Sequence, residues 1–446
     1  LARAFATRGP SLAIGGGQAG AHTNGTASVA AVLLLNLLVG NVGRPGGVLF
    51  NAEPPIEGLP VSAAASSLTE WQRLSTSMLA GEIDVALIHD ANPVYGLPPA
   101  VQFRSALLNV PFVASFSSFM DETTALAERV LPSHLALERW GDDVPNPAPG
   151  YQVWTLRQPV VRPLYNTHSF YDVLLLLAEE IGIAETLPWA TFKDALRAGA
   201  RQLAQDLSRD PVTDVELEQF WVQLLQRGGW WVQRPLAPLE GIPPSPSTPP
   251  PAPTAPARPL VASPVALQEI VAAWMPPRFA GSEAEYPYHL IVSAHNTLDS
   301  GRSAHLPWMQ SAPHPTTTVV WQSWVEVNNR LAGRLGLREG DIVRLESPAG
   351  QAEVPVYVSP ATPPDVLIVP MGQGHLYYGR WASDRGINPM QLLAPLTDEV
   401  TGAIAYAATR VRLTKTGRKI QLPKFEGTVP ARQIPEQRVL KVTDVA

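Results

Sequence analysis

Two polar loops in the C-terminal part of the sequence carry side chains suited to holding a phosphate-bearing ligand. One follows an apolar strand in the stretch VLIVPMGQGHLYYGRWASDRGINP at 366–389. Its polar side chains are His375, Arg380, Arg385 and Asn388, and those of the other loop are His295, Asn296, Arg302 and His305. Arginine can grip a diphosphate through two parallel hydrogen bonds, and histidine or asparagine can bond the edge of a purine or pterin. The same residue types also brace loops or meet a partner chain, so the sequence leaves both interpretations open.

A glycine-rich turn near the N-terminus is a second candidate for phosphate binding. The segment Ser11 to Ile14 is predicted as a strand, and it leads into GGGQAGAHTNG. Backbone N–H groups in such a turn can hold a phosphate at the start of a helix. The candidate residues are Gly16, Gly17, His22, Asn24 and Gly25, with Arg44 as the main cation near the turn. The spacing is not the full dinucleotide fingerprint, and a plain tight turn is the alternative.

The pair Asn92 and Pro93 is a third candidate, because it lies at the C-terminal end of a predicted strand. Ligands of open α/β sheets bind at this edge, although an Asn-Pro pair is equally typical of a turn. The sequence predicts no metal site, since histidines 295, 305, 314 and 375 lack helical spacing and the chain has no cysteine. It predicts no catalytic residue either, since nothing places the acidic pairs 121–122 and 142–143 opposite each other.

The elements that position these residues divide into an α/β part and a β part. Residues 1–125 alternate strands (84–89, 111–116) with helices (26–39, 98–109), which predicts a doubly wound parallel sheet. Residues 126–235 form an irregular and helical segment that completes this body, including a helix with a capping box from Thr213 to Glu216. Residues 286–411 alternate polar and apolar side chains, which predicts a β-barrel, with Gly336 ending its helix.

Two segments outside these domains are predicted to be extended. Residues 236–285 comprise a proline-rich linker and a short helix, with ten prolines between Pro243 and Pro264. Proline fixes φ and lacks an N–H, so we expect 236–264 to run over the surface, ordered or disordered. Residues 412–446 form a basic extension. From Arg410 onward the net charge is +6 and the remainder of the chain carries −12. We expect this extension to wrap a partner, with a solvated terminus as the alternative, and truncation at Ala408 to leave a folded body.

The barrel segment resembles the dinucleotide-binding domain of the molybdopterin oxidoreductase superfamily. The resemblance lies in YHLIVSAHNTLDSGRSAHLPW at 288–308, in EVNNRLAGRLGLREGDIVRLESPAG at 326–350, and in GQGH with Asn388-Pro389. HDANPVYGLP and GYQVWTLRQPVVRP upstream are similar to the same family. The resemblance implies a double-psi β-barrel that packs on the guanine dinucleotide of a molybdopterin cofactor. It also implies that the candidate residues above form a dinucleotide pocket, either functional or vestigial.

The sequence of the barrel loops is most similar to one branch of that superfamily, the large iron–sulfur subunits of alternative complex III. This implies a molybdopterin-like scaffold without bound cofactor, in a quinol-oxidising complex at the periplasmic face of the bacterial membrane. The implied partners are an iron–sulfur cluster domain or subunit, a c-type haem subunit and integral membrane quinol-binding subunits. The family's molybdenum ligand and N-terminal cluster come from upstream sequence, so we expect no catalytic centre in this chain.

Two other functions stay open. The chain can be the C-terminal half of a catalytic enzyme that binds molybdopterin guanine dinucleotide, such as a sulfur-compound reductase, or a non-redox binding module with the same fold. Without cysteine, iron–sulfur clusters must lie on an adjoining segment or chain. The net charge of −6, with no basic patch on a folded domain, argues against a nucleic-acid partner. The chain begins inside an ordered element, so we expect a fragment whose signal peptide, if any, lies upstream.

Overall fold

The structure is a computed structural model that describes residues 1–43, 46–49, 51–59, 65–147, 149, 151–208, 211–231, 269, 271–272 and 274–425. Arg44, the predicted linker 236–264 and residues 426–446 of the predicted extension lie outside the described residues. No helix in the described part of the chain is long and apolar enough to cross a membrane.

The N-terminal domain is built on a small parallel sheet. Strands β1 (Val85–Ile88), β2 (Phe112–Ser115) and β3 (Arg129–Val130) pair in sequence order, all parallel. The helices before and between them are α1 (Ala2–Thr7), α2 (Gly25–Leu38), α3 (Leu68–Leu79), α4 (Pro93–Gly96) and α5 (Phe103–Leu108). Helices α3 and α5 pack on β2 through a core that includes Leu68, Leu107 and Val113. The predicted parallel α/β domain is therefore confirmed.

Two local predictions in this domain were wrong. The segment Ser11 to Ile14 is not a strand, because its backbone is bonded by side chains: Asn36 accepts from the N–H of Ala13 and donates to its carbonyl oxygen, and Asn41 donates to Ser11. The helix predicted over 98–109 is split at Gln102, whose φ of 57° lies in the left-handed region. A short 3₁₀ turn precedes Gln102 and α5 follows it.

A helical lobe follows the parallel sheet. Its strands β4 (Gly141–Asp143), β5 (Val153–Arg157) and β6 (Gly229–Trp231) form an antiparallel sheet in that order. Its helices are α6 (Phe170–Glu180), α7 (Phe192–Leu207) and α8 (Asp214–Arg227). The buried rings of Trp154 and Trp221 join the sheet to α7 and α8. The predicted capping box at the start of α8 is confirmed, with Thr213 and Glu216 bonding each other's backbone N–H groups.

The C-terminal domain is a closed six-stranded barrel in the order β10-β8-β11-β7-β12-β9. Its elements are β7 (Tyr288–Ser293), α9 (Pro307–Ser311), β8 (Val325–Asn328), α10 (Asn329–Leu335), β9 (Asp341–Glu346), β10 (Gln351–Ser359), β11 (Val366–Pro370) and β12 (Thr409–Lys419). Valine and leucine side chains from all six strands fill the interior. Gly336 ends α10 in the left-handed conformation, as its position predicted. The predicted C-terminal barrel is confirmed.

The last strand changes the interpretation of the basic extension. Strand β12 continues past residue 411, where the sequence pattern placed the end of the barrel, and pairs with both β7 and β9. Arg412 lies opposite Glu346 and donates two hydrogen bonds to its carboxylate. The pairing with β9 stabilises residues 412–419 as part of the barrel wall. The expectation that truncation at Ala408 leaves the body folded was therefore wrong, because it removes a strand.

Asp398 joins α2 to a loop of the barrel. Its carboxylate, 4% exposed, accepts from the N–H and hydroxyl of Thr26 (2.9 and 2.6 Å) and from two N–H groups of its own loop. Burial opposes ionisation, but the hydrogen bonds from Thr26 and Thr401 outweigh it and lower the pKa of Asp398.

Replacing Asp398 with alanine is expected to lower the free energy of unfolding by about 2–3 kcal/mol, because buried donors lose a charged acceptor. Denaturant titration measures this change. The matched control is Asp206→Ala on the exposed side of α7, where we expect a change within about 0.5 kcal/mol. Equal effects at the two positions would show that Asp398 does not hold the domains together.

Candidate functional site

A cavity of about 720 Å³ opens between the two domains. It lies beyond the carboxyl ends of β1 and β2, which is the edge where open α/β sheets bind ligands. Loops of the barrel that follow β7 and β11 form the opposite wall. The side chains that matter below are Asp90, Asn92, Tyr95, Phe119, Asp121, Arg139, Arg302, His305, His375 and Tyr378.

A buried contact between Glu122 and His375 joins the two walls. The carboxylate oxygens of Glu122 lie 3.2 Å from Nδ1 of His375, and both side chains are almost fully buried. Glu122 also accepts from the N–H groups of Leu376 (2.7 Å) and Tyr377 (3.2 Å) and from Asn92 Nδ2 (2.7 Å). Burial disfavours its ionisation, but His375 and Asn92 outweigh burial and lower the pKa of Glu122 to about 2. The carboxylate is therefore charged and fully bonded.

Tyr95 reinforces this contact. Its ring stacks on the ring of His375 with centroids 3.8 Å apart, and its hydroxyl donates to the carbonyl oxygen of Gln373 at 2.8 Å. Asn388 donates from Nδ2 to the carbonyl oxygen of Tyr95 at 2.7 Å. Burial raises the pKa of the Tyr95 hydroxyl. Helix α4, which carries Tyr95, is thus fastened to the barrel loop that follows β11.

The structure brings some of the predicted site residues together. Asn92, Arg302 and His375 lie on the cavity wall. Pro93 begins α4, and Asn388 lies behind the wall where it bonds Tyr95.

His295 and Arg380, two further predicted site residues, lie away from the cavity wall. His295 is buried in its own loop, where Nδ1 accepts from the N–H of Thr297 at 3.1 Å and the ring packs against Trp324. Burial, followed by repulsion from His314, lowers the pKa of His295 to about 4. Arg380 is exposed, and its guanidinium stacks 4.8 Å from the Trp381 ring centroid. Neither residue is among the described residues that line the cavity.

The glycine-rich turn lies apart from the cavity. Gly16 and Gly17 have positive φ (129° and 55°), and a Cβ on either would meet open space. A Cβ on Gly25 would lie 2.1 Å from the carbonyl oxygen of Gly20, so this glycine permits close packing at the start of α2. His22 packs its ring edge on Phe279, and Asn24 donates to the carbonyl oxygen of Met275 at 2.8 Å. These contacts fit a turn that anchors α2 to the segment leading into the barrel.

Sequence reasoning missed the residues that organise the cavity: Glu122, Tyr95, Arg139 and Tyr378. Glu122 was noticed only as one of a pair of acids, and its partner is 253 residues away along the chain. The two members of that pair do not act together, because Asp121 accepts from the N–H groups of Thr123 and Thr124. Asp142, from the other pair, accepts from the indole of Trp154 at 2.9 Å.

The charges on the wall do not fit a buried diphosphate. Arg139 is largely buried, but its guanidinium already lies 3.6 Å from Asp90 and 3.3 Å from Nε2 of His89. Arg302 is exposed, and Asp121 adds a second carboxylate to the wall. An uncompensated buried charge costs several kcal/mol, roughly 3–5. The rings of Phe119, His305 and Tyr378 can stack on a planar heterocycle. The arginines on the wall are Arg139, which faces Asp90, and the exposed Arg302. The described residues also contain no cluster of metal-binding side chains.

Comparisons with known proteins agree with this architecture. Residues 302–410 match the family described as the molydopterin dinucleotide binding domain. The fold is similar to that of acetylene hydratase from Pelobacter acetylenicus, with a TM-score of 0.65 and 17% identity over 92% of this chain and 62% of that one.

Two curated relatives have related sequences. The menaquinone reductase molybdopterin-binding-like subunit of Nitratidesulfovibrio vulgaris is 29% identical over 88% of this chain and 51% of its own length. The thiosulfate reductase molybdopterin-containing subunit of Salmonella typhimurium is 23% identical over 84% of this chain and 54% of its own. The chain thus spans about half the length of these relatives, and residues 302–410 match the molydopterin dinucleotide binding domain family.

Proposed function

We propose that this chain is the molybdopterin-like scaffold of an iron–sulfur electron-transfer subunit, and that it works without bound molybdopterin. The observation that carries the proposal is the charge arrangement at the cavity. Glu122 and His375 are paired with each other, and Arg139 is paired with Asp90. The wall therefore offers a dinucleotide diphosphate no buried, unengaged cation among the described residues. The menaquinone reductase relative, whose name describes it as molybdopterin-binding-like, is in keeping with such a role.

We place this scaffold in a quinol-oxidising membrane complex of the alternative complex III kind, at the periplasmic face of the membrane. The relatives are named as subunits, which supports the presence of partner subunits. The partners we propose are an iron–sulfur cluster domain or subunit, a c-type haem subunit and membrane subunits that bind quinol. The clusters lie on an adjoining segment or chain, because the sequence contains no cysteine to hold them.

The second candidate is the C-terminal half of a catalytic enzyme that binds molybdopterin guanine dinucleotide. The aromatic side of the cavity favours it, since three rings pack together there. The ring centroids of Phe119 and His305 lie 4.0 Å apart, and those of His305 and Tyr378 lie 4.5 Å apart. Such rings can stack on a pterin or purine. The thiosulfate reductase relative makes a sulfur compound the natural substrate class for this alternative.

Cofactor analysis separates the two candidates. In the complex purified from its own host, we expect molybdenum far below one atom per chain and no pterin fluorescence after acid extraction. A catalytic molybdopterin enzyme prepared in parallel from the same cells is the positive control. Molybdenum near one atom per chain, with extractable pterin, would establish the second candidate in place of the first.

A further inference from the structure

We propose that the outer edge of β1 is completed by a strand and a covering helix from a part of the subunit outside these 446 residues. The surface concerned, the open edge, consists of the outward-facing backbone of β1 and the side chains of Val85, Leu87 and Phe112. The inference does not depend on whether a cofactor is bound. It identifies the surface through which this chain packs on the rest of its subunit.

Strand β1 has the composition of a strand that is buried on both faces. Its residues, Val85–Ile88, are all apolar and do not alternate with polar side chains. Strands of parallel sheets have this composition because helices cover both faces of such sheets. In the structure Ala86 and Ile88 pack against the core formed by α3 and α5, but Val85 and Leu87 are 54% and 44% exposed. Among the described residues, one face of β1 is therefore left uncovered.

The uncovered face extends from β1 to the start of β2. Val85 lies beside Phe112 in the parallel pairing, so the two side chains point to the same face, and Leu87 follows on that face two residues later. Phe112 is 41% exposed. Beyond the end of β2 the ring of Phe170 in α6 packs on Phe116, with centroids 4.9 Å apart. The face is thus covered at the carboxyl end of β2 and open on the side of β1.

The backbone at the outer edge of β1 is also unpaired. The carbonyl oxygens of Asp84 and Ile88 accept hydrogen bonds from residues of the β2 segment. In a parallel pair every second residue directs its N–H and C=O groups toward the partner strand, so those of Val85 and Leu87 point away from β2. No described residue bonds them. Edge strands that face solvent are commonly protected by charged side chains, proline or a bulge, and β1 contains none of these.

A strand with its crossover helix is the occupant that fills both the edge and the face. An extended segment can bond a row of outward N–H and C=O groups, as in strand addition to other sheets. Parallel neighbours are joined by crossover connections that are usually helices, and these helices lie on a face of the sheet. The described sheet of β1, β2 and β3 has three strands, whereas the average sheet has about five or six. The C-terminal barrel is closed and offers no such edge.

The lengths of the relatives indicate the source of this strand. The chain spans 51% of the menaquinone reductase relative and 54% of the thiosulfate reductase relative, which leaves roughly half of each without a counterpart here. Residues 236–264 of this chain are unsuited to the role, because proline is confined to edges, first residues and bulges of strands. The source we propose is therefore the part of the subunit that corresponds to the unmatched half of these relatives.

Hydrogen exchange of the complete subunit, purified from its host and followed by residue-resolved mass spectrometry, is the first test. We expect the amides of Val85 and Leu87 to exchange at least about a hundredfold more slowly than unstructured amides, because the added strand bonds them. The control is the amide of Phe116, which donates to the carbonyl oxygen of Ile88 and is protected with or without the added strand. Exchange of Val85 and Leu87 near the unstructured rate, with Phe116 protected, would overturn the proposal.

Photo-crosslinking identifies the source. In the complete subunit p-benzoylphenylalanine replaces Phe112, whose aromatic side chain it resembles, and the irradiated complex is digested for mass spectrometry. We expect crosslinks to a peptide of the same subunit outside residues 1–446, in a product with the mass of one subunit. Crosslinks only to another subunit, to a second copy, to lipid or within residues 1–446 would contradict the proposal, as would the absence of any crosslink.

Substitution measures the covering of the face. Lysine is common on strands that face solvent, whereas beneath a helix it is an unpaired buried charge. We expect Leu87→Lys to lower the melting temperature of the complete subunit by at least about 5 °C. The control, Val215→Lys at a 68% exposed position of α8, should change it by about 1 °C or less. A Leu87→Lys variant that melts with the parent would refute the covering helix. Molybdenum measured on the same samples reports separately on the scaffold role.

Discussion

Replacing Glu122 with alanine will lower the free energy of unfolding by about 3–5 kcal/mol, because several buried donors lose their charged acceptor at once and each unsatisfied buried donor costs about 1–3 kcal/mol. The loss extends beyond His375, since the N–H groups of Leu376 and Tyr377 and the amide of Asn92 also lose their acceptor. Guanidinium titration followed by tryptophan fluorescence measures the change. The control is Glu180→Ala, an exposed position at the end of α6, where we expect a change within about 0.5 kcal/mol.

The same carboxylate makes stability depend on pH. The pKa of Glu122 is about 2 in the folded chain, below its ordinary value of 4.5, so the unfolded chain binds the proton first as the pH falls. The contribution of Glu122 is therefore complete above about pH 4.5 and is lost as the pH falls toward 2. We expect Glu122→Gln to be less stable at neutral pH and to lose less stability between pH 5 and pH 2. An acid response identical to that of the parent would exclude this role.

Replacing Gly374 with alanine will have a comparable effect, lowering the free energy of unfolding by about 3–4 kcal/mol. Gly374 has a φ of 85°, and an added Cβ would lie 2.0 Å from the backbone nitrogen of Asn388 and 2.2 Å from the carbonyl carbon of Ile387. Backbone atoms cannot move aside as a flexible side chain can. The loop that carries His375 must therefore shift, and the contact with Glu122 weakens with it.

Gly379→Ala separates the two causes of this loss. Gly379 lies in the same loop with a φ of 80°, but no atom lies within 4 Å of its added Cβ. It carries only the cost of the left-handed backbone, about 1–2 kcal/mol. Denaturant midpoints of the two variants and the parent measure the difference. If the two substitutions cost the same, the close approach of Gly374 to Asn388 has no energetic importance.

The fold was predictable where the residues that form an element are close together in sequence. The alternation of apolar residues marked β9 and β10, Gly336 marked the end of α10, and Thr213 with Glu216 marked the start of α8. Each of these signals depends on backbone geometry within a few residues. The resemblance of the barrel loops to a known superfamily supplied the order of the domains.

The organisation of the cavity was not predictable in the same way. Glu122 and His375 meet across 253 residues, and no local periodicity in either segment indicates the pairing. His295 has the same side chain as His375, yet it is buried in its own loop because its Nδ1 is bonded by Thr297. Asn36 shows the same limit, because its side-chain amide bonds both the N–H and the carbonyl oxygen of Ala13, 23 residues earlier in the chain.

The position of β12 between β7 and β9 also has a consequence for synthesis on the ribosome. Strands β7 to β11 leave the ribosome before β12, so the barrel cannot close until residues 409–419 have been made. Until then β7 and β9 each present an unpaired edge, and such edges readily pair with other chains. A nascent chain that stalls between Pro370 and Ala408 therefore forms an open sheet with two unpaired edge strands, and not a smaller stable barrel.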